Sequence, residues 1–491
     1  MFRGGAEAAI RREIVKRGYI KGIIGLPSNL FYGTGIPACI LVLDKENAHA
    51  RKGIFMIDAS KGFRKDGNKN RLRAQDIHRV VDTFTRQVEV PRYSRMVSLS
   101  EISDPKNDFN LNLPRYIDTT EPEDLQDIDS HLRGGIPDRD IDALDRFWHM
   151  MPSVRPLLFE SAGRTGYSRL KFPAGEIKNA LLGHPEFAAF KSSVNSLFTK
   201  WKKTNSPLLN AIKLGDHPKA LIETLSEGLL SIFGKARLID PYDVYQHLMD
   251  HWVASMQDDV YLIAHAGWLE AAKPRLIVET KEQKSKEQPD FKVGKKKFKA
   301  DLIPPSLLIA RYFEAEKAAV EALEGELNTL EQQLEELREE HGGEGGLLEE
   351  VVDDKGKISK KAIAARLKET GRDDEYADER NVLENYAVLL DKQSQTKGEL
   401  KAAQDELERK VATKYGKLIE TEIKSIVVED KWLARSEADV ESEVDRASQT
   451  LTGRIRQLAE RYATPLPQLT EGVEIFAVRV REHLKKMGAI C

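Results

Sequence analysis

Apolar residues recur along this chain at three different spacings, and each spacing predicts a different element. Ala6, Ile10 and Ile14 lie four apart behind Gly4 and Gly5, which is the period of one helical face, and Gly18 supplies a stop. Short unbroken apolar runs come next: Ile23-Ile24-Gly25-Leu26 closed by Pro27, Ala38-Cys39-Ile40-Leu41-Val42-Leu43 behind the turn-rich Phe31-Tyr32-Gly33-Thr34-Gly35, and Ile54-Phe55-Met56-Ile57 closed by Asp58. Runs of that length between turn residues predict strands buried on both faces. A helix, a buried strand and two strands close enough to pair as a hairpin describe the far edge of an α/β sheet. Earlier strands would be needed to cover such a sheet, so the chain is expected to start inside a domain.

Further along, the pattern turns helical. Residues 1–118 are read as the end of the α/β part and 119–140, acidic and punctuated by Pro and Gly, as a linker. Residues 141–280 form a helical domain with Trp148, Trp201, Trp252 and Trp268 available for its core. Residues 281–306 are a basic loop: between 281 and 299 eight lysines face three acids, with Phe291 and Phe298 interleaved and Pro289 and Gly294 breaking any helix. The spacing of Val320, Leu323, Leu327, Leu330, Leu334 and Leu337 is 3, 4, 3, 4, 3, the seam of a coiled coil. Glycines at 342, 343, 345 and 346 end that arm. Leu383, Tyr386, Leu390, Leu400, Leu407, Val411 and Leu418 make a return stripe, so 307–422 reads as a long antiparallel helical hairpin. Residues 423–491 form a helical tail whose last helix is amphipathic through Val473, Phe476, Val480, Leu484 and Met487.

Composition narrows the class. A chain of 491 residues holds roughly three folding units at about 150 residues each. With 76 Lys+Arg against 79 Asp+Glu the net charge is -3, so only local patches can speak for nucleic acid. Cys39 and Cys491 have no framework spacing and fit a reducing compartment. The longest apolar run, positions 36–43, is far below the roughly 20 residues a membrane helix needs, and the chain is expected to be cytoplasmic. The first hairpin arm carries thirteen Glu between positions 314 and 350 against Lys317 and Arg338, which repels phosphate and favours contact with protein.

Three stretches together resemble the modification subunit of type I restriction-modification systems, an adenine-specific DNA methyltransferase family. The first is Phe2-Arg3-Gly4-Gly5-Ala6-Glu7, then Arg11-Arg12-Glu13, then Ile24-Gly25-Leu26-Pro27-Ser28-Asn29-Leu30-Phe31-Tyr32-Gly33-Thr34-Gly35 and the apolar run after it. The second is Tyr242-Asp243-Val244-Tyr245-Gln246-His247-Leu248-Met249-Asp250, continuing to Met256-Gln257-Asp258-Asp259-Val260-Tyr261. The third is His483-Leu484-Lys485-Lys486-Met487-Gly488. The resemblance implies a Rossmann-like core that moves a methyl group from S-adenosylmethionine to the exocyclic N6 amine of adenine, with the base flipped out of the duplex. It implies DNA, a specificity subunit, a second modification subunit and a restriction/motor subunit as partners.

The family holds its cofactor on a glycine-rich loop after the first strand and its base on an Asn-Pro-Pro-Phe-type loop after the fourth. Ile303-Pro304-Pro305-Ser306 lacks the polar residue before and the aromatic after, Asp240-Pro241-Tyr242 has one proline, and Gly33-Thr34-Gly35 precedes a strand instead of following one into a helix. No catalytic, cofactor-binding or metal-binding residue is therefore assigned. The resemblance implies that the chain is the C-terminal portion of such a subunit, and alone it is expected to be inactive. Two groups remain as site candidates. Phe31 and Tyr32 would stack the extruded base, or else close the sheet edge as ordinary loop aromatics. Lys292, Lys295, Lys296, Lys297 and Lys299 would neutralise DNA backbone phosphates, or else form a solvated loop. His247 and His251, four apart, read as helix packing because Leu248 stands where a catalytic zinc motif needs an acid. The competing reading is a scaffold that docks a specificity subunit without catalysis; a nuclease or motor subunit is disfavoured because the chain has no Gly-x-x-x-x-Gly-Lys-Ser/Thr loop.

Overall fold

The computed structural model describes residues 3–120, 125–278, 287–353, 356–371 and 374–488. They are mostly helical, with small sheets, and fall into two compact units. The first takes residues up to 207, 219–255 and those from 435 onward; the second takes 208–218 and 256–434. Among the described residues no helix is long and apolar enough to cross a membrane.

The first unit opens with α1 (Ala6–Lys16), β1 (Ile20–Gly25), β2 (Cys39–Leu43) and β3 (Gly53–Asp58). A hairpin of β4 (Arg64–Asp66) and β5 (Lys69–Arg71), the helix α2 (Ala74–Arg86) and β6 (Ser94–Ser98) follow. The main sheet has the order β2-β1-β3-β6, with β1 parallel to β3 and the other pairs antiparallel. Expected as hairpin partners, β2 and β3 do not pair: β1 lies between them. The reason is burial. Every residue of β3 is buried, which demands a strand on each side and cover on both faces, whereas four of the five β2 residues are exposed, which suits an edge.

Two side-chain layers explain the unbroken apolar runs. Ile23, Ile54 and Met56 pack with Val97, Ile102, Leu111 and Tyr116 on one face. Ile24, Phe55 and Ile57 pack with Phe84 and Val80 of α2 and with Tyr93 on the other. At Gly22 an added Cβ would stand 2.3 Å from the Phe84 ring, so α2 can lie on the sheet only because that residue has no side chain. The first helix forms as expected, but only the C-terminal part of its expected face meets the core: Ile14 packs there beside buried Val15, whereas Ile10 is 61% exposed, and Arg11 donates from Nε to the Phe109 carbonyl at 2.7 Å. Gly18 ends α1 at φ 66, and there a Cβ would meet the Ala48 carbonyl at 2.2 Å.

Part of the segment expected as a linker is regular structure. Helix Ile128–Arg133 is capped by Asp127, whose carboxylate accepts from the Ser130 N–H at 2.9 Å, and strand Ile136–Pro137 pairs with Tyr167–Leu170. Strand Phe159–Ser161 pairs on the other side of Tyr167–Leu170, and the rest of the unit is mostly helical. Trp201 is buried in helix Pro185–Asn210 and donates its indole N–H to the Leu225 carbonyl at 3.0 Å. Helix Leu466–Lys486 contains no buried residue; Val473 and Phe476 face solvent.

In the second unit, helices Glu314–His341 and Ala377–Tyr415 run side by side in opposite directions, with Lys410 against Glu316 at 2.8 Å, Gln404 against Glu324 at 3.1 Å and Lys397 against Glu331 at 3.0 Å. Leu330 and Leu334 pack on Leu383, Tyr386 and Leu389, with Leu348, Val351 and Ile363 closing that end. Trp268 belongs to this unit, its ring centroid 6.3 Å from that of Trp432. The basic segment 281–306 is not simply a loop. Strands Phe291–Val293 and Lys296–Lys299 form a hairpin with Arg275–Leu276 alongside, and residues 281–286 lie outside the described residues.

Candidate nucleic-acid interface

The loop between β1 and β2 is held from below and free above. Asn70 of β5 donates from Nδ2 to the Ser28 carbonyl at 2.7 Å and from its backbone N–H to the Asn29 carbonyl at 3.0 Å. Lys69 donates to the Phe31 carbonyl at 2.9 Å. Thr34 accepts the Ile36 N–H on its hydroxyl at 3.1 Å, and Gly33 takes φ 79. The result is a fixed backbone with outward side chains: Phe31 is 49% and Tyr32 96% exposed. A side chain so exposed contributes almost nothing to the core, so its aromatic ring is available to a partner.

The β4–β5 hairpin that pins this loop is a feature sequence reasoning missed. Positions 61–73 hold six basic residues against Asp66 alone, and Asp66-Gly67-Asn68, with Gly67 at φ 61, is the turn chemistry of a two-residue hairpin. Arg64 and Lys65 point to solvent beside the Tyr32 loop's anchor. The signal was present as a local basic excess with a glycine turn.

On the second unit, register decides what each lysine can do. Phe291 pairs with Phe298, Lys292 with Lys297 and Val293 with Lys296 across the hairpin, turning at Gly294 with φ 61. Phe291 stacks between Phe298 (centroids 5.3 Å) and Tyr415 (5.5 Å), anchoring one face. Burial pushes the Tyr415 phenol pKa up, and its hydroxyl donates to the Ile303 carbonyl at 2.5 Å. Lys292, Lys295 and Lys296 are exposed. Lys299 is half-buried and paired with Asp290 at 2.6 Å, and Lys297 is also half-buried, so these two are poorer phosphate ligands.

The proline motifs weighed against an Asn-Pro-Pro-Phe loop are helix starts. Pro305 opens helix Pro305–Tyr312. Asp240 caps helix Pro241–His251, accepting from the Tyr242 N–H at 2.9 Å. Gly33 and Gly35 lead into β2, a strand and not a helix. His247 donates from Nε2 to Glu443 at 2.8 Å, which commits that ring to helix packing.

Residues 1–125 match the family described as N-6 DNA Methylase. The chain is 40% identical over 133 residues to the type I restriction enzyme MjaVII methylase subunit of Methanocaldococcus jannaschii, covering 26% of this chain and 22% of that protein. It is 32% identical over 128 residues to the MpnII methylase subunit of Mycoplasma pneumoniae and 34% over 126 to the HindI methylase subunit of Haemophilus influenzae. A crystal structure of a type I restriction-modification methyltransferase subunit from Streptococcus thermophilus is 36% identical, covers 24% of each chain and has a TM-score of 0.23. The matched stretch spans 22–28% of the length of these curated relatives. Residues 1–125, which contain the Phe31–Tyr32 loop and its basic hairpin, are thus the part of the chain that is similar to the N-6 DNA methylase family and to type I restriction enzyme methylase subunits.

Proposed function

We propose that this chain is the C-terminal portion of the modification subunit of a type I restriction-modification complex. The complete subunit would transfer a methyl group from S-adenosylmethionine to the N6 amine of adenine in DNA. The observation that carries this reading is the relation of β2 to the loop before it. β2 leaves Ile40, Leu41 and Leu43 exposed at a sheet edge, and the loop feeding that edge is pinned so that Tyr32 stands in solvent. Apolar residues exposed at a free edge call for further sheet, and an aromatic beside that edge suits a base turned out of the duplex. The remainder of a Rossmann-like methyltransferase sheet would satisfy both.

The residues present do not fit S-adenosylmethionine. Gly33 and Gly35 precede a strand, and the helix start at Asp240 is closed by its own side chain, so no backbone cradle for the cofactor is formed by either. What this chain supplies is binding: Tyr32 and Phe31 as stacking surface, and Lys292, Lys295 and Lys296 with the 61–73 bases as contacts to phosphate.

A second reading, a non-catalytic scaffold docking a specificity subunit, is favoured by one observation. Helix Leu466–Lys486 exposes Leu469, Val473, Phe476 and Val480 at helical spacing. The same surface would serve a modification subunit meeting its specificity subunit, its second copy or the restriction subunit. Methyl transfer to duplex DNA from radiolabelled S-adenosylmethionine separates the readings. The chain alone is expected to be silent, and transfer is expected when it is mixed with an upstream methylase polypeptide carrying the glycine-rich and Asn-Pro-Pro-Phe loops. Silence of the mixture together with retained capture of a specificity subunit would leave the scaffold.

A further inference from the structure

Residues that the methylase match mostly leaves out meet around a cavity of about 830 Å³ within the first unit. Four guanidiniums line it, those of Arg79, Arg146, Arg237 and Arg446, against three carboxylates, those of Asp240, Asp243 and Glu443. Only Arg79 lies within residues 1–125.

The carboxylates are already committed. Asp240 caps its helix through the Tyr242 N–H at 2.9 Å and faces Arg79 at 3.4 Å. Asp243 accepts from Gln75 Nε2 at 2.8 Å and pairs with Arg446. Glu443, almost fully buried, accepts from His247 at 2.8 Å and from Arg446 Nε at 2.8 Å. Arg79 also lies against two rings, its guanidinium carbon 4.7 Å from the Tyr93 centroid and 5.5 Å from that of Tyr242.

Arg146 and Arg237 are different. Both are exposed at the cavity and neither makes an ion pair among the described residues, the Arg146 guanidinium carbon lying 4.8 Å from the centroid of the adjacent Phe147 ring. Arg237 precedes Leu238, which takes φ 65, a left-handed conformation that leucine rarely adopts, and Ile239 next to it is buried, so the turn presenting Arg237 is held by its surroundings. His149 donates Nδ1–H to the Asp145 carbonyl at 2.8 Å and lines the same cavity, leaving Nε2 unused there. Guanidinium stays charged at any working pH, and its planar fork matches two oxygens of a phosphate. The volume suits a phosphate with an attached sugar.

We infer that this cavity binds a phosphate group, gripped by Arg146 and Arg237, with Arg79 and Arg446 on the same cavity held in place by their own carboxylates. Where the phosphate is a DNA phosphodiester the inference rests on the methyltransferase reading; a free phosphate compound would use the same donors. The test uses the full chain, wild type and Arg146→Gln/Arg237→Gln, with Lys292→Gln/Lys296→Gln as comparison. Inorganic pyrophosphate is titrated by phosphorus NMR, and a short DNA duplex by fluorescence anisotropy across a salt series. Both substituted arginines are exposed, so thermal unfolding should be unchanged. The arginine variant is expected to abolish pyrophosphate line broadening and to lower the slope of log affinity against log salt by about two. Duplex binding whose slope the arginine variant leaves unchanged, with no pyrophosphate response, overturns the site while leaving the DNA reading intact. Pyrophosphate binding lost in the arginine variant, with no duplex binding by the wild type, supports the site and removes the DNA reading.

Discussion

His247 donates its Nε2–H to Glu443 across 2.8 Å, joining helix Pro241–His251 to helix Ala434–Arg461 inside the first unit. Glu443 is 5% exposed and shares its second oxygen with Arg446, so the pair closes a small network instead of ending at solvent.

That network makes stability depend on pH in a stated direction. The hydrogen bond from His247 to Glu443 is the largest influence on the imidazole and raises its pKa above the ordinary histidine value. A raised folded-state pKa contributes stability that is fully present below the unfolded value of about 6.5 and is lost as pH rises through the folded value. Denaturant unfolding followed on either side of neutrality should show His247→Gln less stable than the parent at the acidic end, with the two curves converging as pH rises. A constant offset at all pH values would mean that the ring serves only as packing.

In the second unit, buried Asp259 accepts from the Trp432 indole at 2.8 Å and from Lys431 Nζ at 2.8 Å, and Lys431 also donates to the Leu302 carbonyl. Asp259→Ala strands a nearly buried ammonium and is expected to cost about 3–5 kcal/mol. Trp432→Phe keeps the ion pair and loses an N–H and some volume, so it should cost less. Differential scanning calorimetry ranks the two, and equal losses would show that the ammonium finds other solvation.

Tyr32 gives the opposite expectation. Its side chain is almost wholly exposed, so Tyr32→Ala should leave thermal unfolding within about 0.5 kcal/mol of the parent. In a reconstituted methyltransferase the same substitution should weaken the enzyme's hold on a flipped base by about 1–3 kcal/mol, read as reduced fluorescence enhancement of 2-aminopurine at the target position. Unaltered enhancement would return Tyr32 to the role of a loop aromatic.

The lysine hairpin divides into free and committed residues. Replacing Lys292, Lys295 and Lys296 by Gln should lower the salt slope of duplex binding by up to about three, because each is exposed and can release a counterion. Lys299→Gln should act on the hairpin itself through the lost Asp290 pair, with little change in slope. A salt slope equally sensitive to Lys299 would mean that the ion pair opens to meet DNA.

Local spacing by itself determined where several of the strands and long helices lie. The runs at 23–26, 38–43 and 54–57 overlap β1, β2 and β3, and Val320, Leu323, Leu327, Leu330, Leu334 and Leu337 are all half-buried or buried in their helix. These signals are legible because burial of one face imposes its period on neighbours in the chain. β6 escaped because Ser94–Ser98 carries only two apolar residues and owes its place to the open edge of β3. Tertiary structure alone decided the rest. It put β1 between β2 and β3, chose the Val15 side of α1 over the Ile10 side, and spent Lys299 on Asp290 while leaving Lys292 free. It also gathered Arg79, Arg146, Arg237 and Arg446 around one cavity. Strand order and ion pairing are set by which distant surfaces compete for the same neighbour, and residues hundreds of positions apart carry no mark of that competition in their local spacing.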